Sequence, residues 1–385
     1  MLAQPGSPFT SGWIESSLDA NHNLKSNRMT SVEQQIAANG TLYALLDSLT
    51  CGEVIKDQDP AANKLGARPQ HPLCLDSELS VSEGCEALAA NRITSAPVYD
   101  ANKGGFIGML DYRDLVAFVL SVLHKVPKDP SPVDVSMDVT DIVKRALVNK
   151  SEVPIKLVSN LSHSNPLIPV QASASIRVAV EEFVRNHVHR VVVLQPENDT
   201  AHFAGILSQS AVAALVASRV GKLAGAADPT AKSMWATGNK TLQELGLVGK
   251  DIISVIPDDT VLEGLYMMHE HKISSVAIVE RTEQGDNQLV GSISMTDIKA
   301  ILADRKGWRR LYERAFDFFT SMRFEQGLEA GGDDRIPTFT VHPETTLIAT
   351  IEKMAATRGH RVWVVEGSRA VGVVSLSDIM PLLLK

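Results

Sequence analysis

Cysteine is scarce in this chain. Cys51, Cys74 and Cys85 are all there is in 385 residues; their spacing fits no metal-ligand pattern, and an odd count argues against a disulfide framework. A reducing compartment is therefore expected, the cytoplasm first and the nucleus second. Long hydrophobic runs are also missing. The longest, Leu115 to Leu123, is interrupted by Ser121 and falls far short of the roughly 20 residues of a membrane helix, so no membrane contact is expected. The N-terminal stretch lacks the basic-then-apolar pattern of a secretion signal. Charge of one sign is weak: the net is −8, which argues against nucleic acid as the main partner, although an anion site needs only a few local cations. No G-x-x-x-x-G-K-S/T, G-x-G-x-x-G, H-E-x-x-H or G-x-S-x-G occurs, so no catalytic constellation, catalytic cofactor or enzyme activity is expected. His22, His71, His124, His163 and His202 have no ligand spacing, and His269 and His271, two apart, do not share a helical face. No metal site follows.

What the chain does have is repetition. Its 44% hydrophobic content suffices for two ordinary domains or one doubled one. Offsets of 95, 180 and 266 residues bring Leu75, Val170, Val255 and Val341 together in short strand-like segments. Val81, Ile176, Val261 and Leu347 then open helical patterns of about three turns. Thr94-Ser95, His189-Arg190, Ser274-Ser275 and His360-Arg361 coincide next, followed by the strands APVYD, VVVLQ, VAIVE and VWVVE. The registers rejoin at GMLDYRD (108–114), GILSQSA (205–211), GSISMTD (291–297) and GVVSLSD (372–378). Each unit reads β-α-β-β-α. The last is the clearest: Val362 to Val365 and Val371 to Val374 form a hairpin about Glu366, Gly367 and Ser368, and SLSD opens an amphipathic segment, Ile379 to Leu384. A helix N-terminus suits an anion, and an ionised Asp there can accept two ribose hydroxyls. For Ser375 the plainer alternative is an N-cap.

These four units resemble CBS motifs, at about 71–123, 160–217, 248–304 and 336–385. The resemblance implies an α/β (α+β) chain with motifs paired into two Bateman modules and stacked as a disc. The expected organisation is a flexible N-terminal segment with a lead-in helix (1–50), a first module (51–220), a linker (221–247) and a second module (248–385). Small hydroxyl residues in the odd repeats, His-Arg in the even ones, and an Asp in repeats one, three and four are similar to the γ subunit of AMP-activated protein kinase. So are TLQELGLVGKDI (241–252) and GHRVWVVEGSRAVGVVSLSDIM. GILSQS and NLSHSNPLIPV also resemble CBS-only regulators of the fungal and plant kind.

The resemblance implies nucleotide-binding residues at Thr94, Asp114, His189, Arg190, Ser274, Ser275, Ser294, Thr296, Asp297, His360, Arg361, Ser375 and Asp378. The carboxylates would hold ribose and the His-Arg pairs the phosphates of AMP, ADP or ATP; a structural contact between the halves of a module is the alternative for each pair. Ala211 leaves repeat two without a carboxylate. Asp111 puts a second carboxylate beside Asp114, which repels a ribose or phosphate unless Arg113 neutralises it.

Elsewhere the pattern is plainer. Residues 56–72 read as a loop, 124–135 as a proline-broken connector, 140–150 as a helix, and 327–337 as a loop. LVAFVLSVLH, apolar nearly all round, should be buried on more than one side and join the two motifs of a module. Trp235 is expected to anchor the linker, and Cys85 to fill a core. The segment 300–326 is helical by period, with a basic cluster at Arg305, Lys306, Arg309, Arg310 and Arg314, either a solvated face or a phosphate or partner site. The implied function is a non-catalytic adenine-nucleotide sensor that regulates a partner such as a protein kinase, with a homodimer allowed. The alternative is a CBS-only scaffold or phosphatase regulator acting by protein contact, with nucleotide merely structural.

Overall fold

In the computed structural model the described residues are 42–56, 73–91, 93–123, 153–197, 200–225, 236–249, 251–282, 287–297, 301, 307–329 and 338–385. The expectations for residues 1–30, 57–72, 124–150 and Trp235, and for Arg305 and Lys306, lie outside them. Two short helices lead in, α1 (Leu42–Ser48) and α2 (Cys51–Lys56). Repeat one follows as β1 (Leu75–Asp76), α3 (Val81–Ala90), the hairpin β2 (Ser95–Asp100) and β3 (Gly105–Asp111), and α4 (Tyr112–Val122). Repeat two is β4 (Pro169–Gln171), α5 (Ile176–Arg185), β5 (Arg190–Glu197), β6 (Thr200–Ser208) and α6 (Gln209–Gly225). Repeat three is β7 (Ser254–Val255), α7 (Val261–Glu270), β8 (Ser275–Arg281) and β9 (Asn287–Ser294), then a 3-10 turn Met295–Asp297 and the helix α8 (Ala315–Glu329). Repeat four is β10 (Thr340–Val341), α9 (Leu347–Thr357), β11 (Arg361–Glu366), β12 (Arg369–Ser375) and α10 (Leu376–Ile379).

The four first helices start where the apolar period starts, and a hydroxyl residue caps three of them; Ser175, before α5, makes no side-chain cap bond. Ser80 and Thr260 accept the N–H of Glu83 and Glu263, and those carboxylates return to the cap N–H; Thr346 accepts from Ala349. Such a cap stabilises a helix by about 1 kcal/mol. Each lead strand then pairs in parallel with the hairpin in one register: Leu75 with Val98, Val170 with Val193, Val255 with Ile278, Val341 with Val364. Every hairpin shifts register immediately after that pair, opposite Gly108, Gly205, Gly291 or Gly372. The shared glycine has a packing cause. A Cβ there would lie 2.8 Å from Ser159 Oγ, 2.9 Å from Ile55 Cγ2, 2.8 Å from the Phe319 ring or 3.2 Å from Leu247 O respectively.

Contacts between repeats are of two kinds. The sheets of repeats one and two meet at Met109, Val192 and Leu194, and those of three and four at Ala277, Val279 and Trp363. Repeats three and four also share one six-stranded sheet through Arg369 and Gln288. The helices make the larger cores. One joins repeats two and four (Phe183, Val212 and Val216 with Leu347, Ile351 and Ile379) over Leu45 and Leu46 of α1. The other joins repeats one and three (Leu88, Leu115 and Val119 with Leu265, Met268 and Phe318). Leu115 to Leu120 is buried throughout, but α4 packs on α7 of repeat three, so it joins different modules and not the two motifs of one. The contacts therefore close a ring in the order one, two, four, three.

Three boundaries differ from expectation. The amphipathic segment after SLSD is only α10 and a 3-10 turn, Met380–Leu382, since Pro381 has no N–H to continue an α-helix. The helix α6 extends into the expected linker, to Gly225. The helix α8 runs through Gly327 to Glu329, where glycine predicts a loop; the packing of Phe318, Phe319 and Met322 into the core outweighs a glycine's cost of about 1 kcal/mol.

Candidate functional site

The hairpin register assembles the site. It places Ser95 opposite Asp111, Arg190 opposite Ser208, Ser275 opposite Ser294 and Arg361 opposite Ser375. The backbone repeats one further bond: Gln209 N–H donates to His189 O (2.9 Å), Met295 to Ser274 (3.0 Å) and Leu376 to His360 (3.0 Å). The start of each hairpin and the final motif thus share one corner.

At that corner the carboxylates close helix caps. Asp378 accepts Ser375 N–H at 2.9 Å and Ser375 Oγ at 2.6 Å. Asp297, buried, accepts Ser294 N–H at 2.8 Å and Ser294 Oγ at 3.0 Å through Oδ2, with Thr296 Oγ1 2.7 Å from the same hydroxyl. Asp114 differs. Its Oδ2 accepts Asp111 N–H at 3.0 Å, and its Oδ1 accepts Ser162 N–H at 2.9 Å and Ser162 Oγ at 2.7 Å. Asp111 accepts the N–H groups of Arg113 and Asp114 and, at 3.0 Å, Asn165 Nδ2. A segment of repeat two's own lead-in thus covers the carboxylates of repeat one. Burial and the charge of Asp111 raise Asp114 well above the usual carboxylate range. In repeat two, Ala211 packs against the core.

The cations converge. Arg361 Nη2 donates to Ser274 Oγ at 2.7 Å, and Arg190 Nη1 donates to Ser95 Oγ, so each arginine reaches the odd repeat of its own module. Ser95, and not Thr94, is the partner in the first; Ser275 is buried beside Ser274. Arg190 Nε is buried with no hydrogen-bond partner among the described residues. Burial lowers Arg361 to about 10, with Arg113 lowering it further and Asp297 opposing. Arg190 is lowered by burial first, then opposed by Asp111. His189 is held well below its ordinary value by burial and by Arg113, Arg190, Arg361 and His360. His360 is lowered by loss of water around the ring, then by Arg361 and Arg190, but the residue as a whole is exposed, so solvent screens much of that shift. Both histidines are neutral at pH 7 and form a neutral lining to a cationic centre.

Three participants were not legible as such. Arg113 does not sit on Asp111 as a counter-ion; its Nη2 lies 3.0 Å from His189 Nε2. Gln209 stands where the other repeats have Tyr112, Met295 and Leu376, and ties Val188 O (3.1 Å) to Ser377 Oγ of repeat four (3.2 Å). Ser162 lies in NLSHSNPLIPV, whose serines carry no signal of what they bind. Of the basic cluster near residue 310, Arg314 pairs with Asp258 and Asp317, and Arg310 with Glu313 and the face of Phe318, while Arg309 is exposed. Cys85 is buried, its thiol pushed up to about 11 by burial.

A "Protein SDS23" of Scheffersomyces stipitis is 26% identical over 94% of this chain and 67% of its own length. A "Protein sds23" of Neosartorya fischeri is 31% identical over 68% of this chain and 45% of its own length. The chain thus spans from under half to about two thirds of these relatives. Among solved structures, a Methanocaldococcus jannaschii protein described as a candidate archaeal homolog of the AMPK γ subunit matches with a TM-score of 0.57. It covers 81% of this chain and 96% of its own, at 14% identity, a likeness of fold. The family model described as "CBS domain" matches residues 68–121, 158–218, 244–304 and 334–385, and the chain belongs to the CBS-domain family.

Proposed function

We propose that the chain is a non-catalytic regulatory protein that binds adenine nucleotides and passes their occupancy to a protein partner, such as a protein kinase. The observation that carries this reading is the convergence of Arg190, Arg361 and two neutral histidines on one centre, with Arg190 Nε left without a hydrogen-bond partner among the described residues. Like charges brought together while half-buried are costly without an anion. The ribose sites belong to repeats three and four. Asp297 Oδ1 carries no hydrogen bond among the described residues, whereas Asp114 is covered by Ser162 and repeat two offers only Ala211. Occupancy would act on the partner through differential affinity for the two states. The fold likeness to a candidate AMPK γ homolog supports the sensor reading.

Titration calorimetry with AMP, ADP, ATP and S-adenosyl compounds tests it. At least one adenine nucleotide should bind, and Asp297→Ala and Asp378→Ala should each weaken it by about 1.5–3 kcal/mol, tenfold or more. Because both carboxylates also close caps, each variant should lose about 1 kcal/mol of stability as well. No binding, or unchanged affinity in both variants, contradicts the reading.

A second reading is a scaffold or phosphatase regulator acting by protein contact. It is favoured by the Arg190–Ser95 and Arg361–Ser274 bonds, which close each module without any ligand. Co-purification with kinase subunits speaks for the first reading; a phosphatase, or no stable partner, speaks for the second.

A further inference from the structure

The large hydrophobic side chains exposed among the described residues are Ile256, Tyr312, Phe316 and Phe324, and all four lie in one place. Phe316 and Phe324 are on α8, and Tyr312 ends the 3-10 turn Gly307–Tyr312 just before it. Ile256 is in the adjoining loop, where Pro257 O accepts Phe316 N–H at 3.2 Å. Phe324 is 69% exposed. The other side of α8 is accounted for, since Phe318, Phe319 and Met322 fill the core that joins repeats one and three. The helix is therefore apolar on two sides, and among the described residues only one is covered. A surface helix needs one apolar stripe; a second, gathered into a patch, marks an interaction surface.

The order of residues on the open side says what covers it. Phe316, Thr320 and Phe324 are four apart and share a face, with Asp317 and Arg323 at its two margins. The face reads the same in both directions from Thr320. Four positions before it is Phe316 and four after is Phe324; three before is the acid Asp317 and three after is the base Arg323. Two copies of such a helix, packed antiparallel across a two-fold axis, bring each residue before the axis onto the residue equally far behind it in the other copy. Phe316 then meets Phe324 of the other copy, and Asp317 meets its Arg323, each twice, with no like charges opposed. Asp317 is exposed and only loosely paired, 3.6 Å from Arg314. The Arg323 guanidinium is held over the Phe319 ring at 5.3 Å. Thr320 is small, and its Oγ1 donates to Phe316 O of its own helix at 2.9 Å, so its hydroxyl is already satisfied when the backbones approach at the axis.

We propose that the open face of α8 is a homodimer interface, in which two copies of this chain pack α8 antiparallel about a two-fold axis at Thr320. An unrelated partner would require the apolar face but not its symmetry about one residue. The contact is independent of the nucleotide reading, since none of these residues belongs to the central site. One helix pair flanked by Tyr312 and Ile256 is at the small end of specific interfaces, roughly 1,200 Å², so association should follow concentration.

Sedimentation equilibrium of the full chain from low to high micromolar concentration tests it. A monomer–dimer equilibrium is expected. Phe324→Glu and Asp317→Lys should each weaken it by about tenfold or more, the second because it sets a lysine against Arg323 at both ends of the contact. Both positions are exposed, so each variant should melt as the monomeric parent does. Thr320→Cys should give a disulfide-linked dimer under mild oxidation, since Cys51, Cys74 and Cys85 are buried and do not compete; Glu352→Cys, exposed on α9, should not. A chain that stays monomeric throughout, or a dimer that Phe324→Glu and Asp317→Lys leave intact, would overturn the proposal. A dimer with no Thr320→Cys crosslink would overturn the antiparallel pairing about that axis.

Discussion

His189 and His360 face the centre as neutral rings, and their titration has a sign that can be worked out. Both folded values lie below the ordinary 6.5, that of His360 at about 4, through loss of water and then through neighbouring guanidiniums. The unfolded chain therefore binds more protons between those values, and stability contributed by the neutral rings is lost as pH falls from about 6.5 toward 4. Asp114 works oppositely: raised in the fold, it favours stability at low pH and loses it as pH rises. Subtracting a variant isolates the histidine. Because His360 is exposed and solvent screens its shift, His360→Gln should gain only a little thermal stability relative to the parent between pH 7 and pH 5, and added phosphate should shrink that gain. A parallel fall of both proteins would show that His360 is not desolvated in the centre. At this scale the sequence carried the identity of His189, Arg190, His360, Arg361, Asp297 and Asp378, because four aligned repeats isolate them. It could not carry the Arg113–His189 contact, which joins residues 76 positions apart. Nor could it carry the cover that Ser162 places on Asp114, since serines in a loop have no periodicity to betray a partner.

The recurrent element is the bulged hairpin with a glycine opposite the bulge. Its glycine is needed for room, since something packs on each: Ser159, Ile55, Phe319 or Leu247. Gly291→Ala is the sharpest case, because the added Cβ would sit 2.8 to 3.1 Å from three atoms of the Phe319 ring. Phe319 is buried in the core that joins repeats one and three, so the ring cannot simply swing out. Overpacking of this kind costs about 1–3 kcal/mol, and chemical denaturation of Gly291→Ala should read a loss in that range; an unchanged midpoint would show that the core yields. The helices, the lead strands and the hairpins were legible as elements, because apolar period and hydroxyl caps are local. Their partners were not. An apolar face on α4 says that something covers it, and period alone cannot say that the cover is α7 of the other module.

Across the whole molecule, closure of the ring in the order one, two, four, three is what turns four separate corners into one site. Gln209 and Ser377 stitch repeats two and four at 3.2 Å, beside the corners that carry Arg190 and Arg361. Each arginine has a hydroxyl partner within its own module, yet the group as a whole holds more positive charge than the acids facing it. The central claim is that this charge exists to hold phosphate. Calorimetry of AMP and of adenosine on the parent and on the double variant Arg190→Gln/Arg361→Gln tests it most directly. The account predicts that AMP loses at least tenfold in affinity, about 1.4 kcal/mol or more, while adenosine changes little; an equal loss for both ligands would make the arginines structural struts and contradict it.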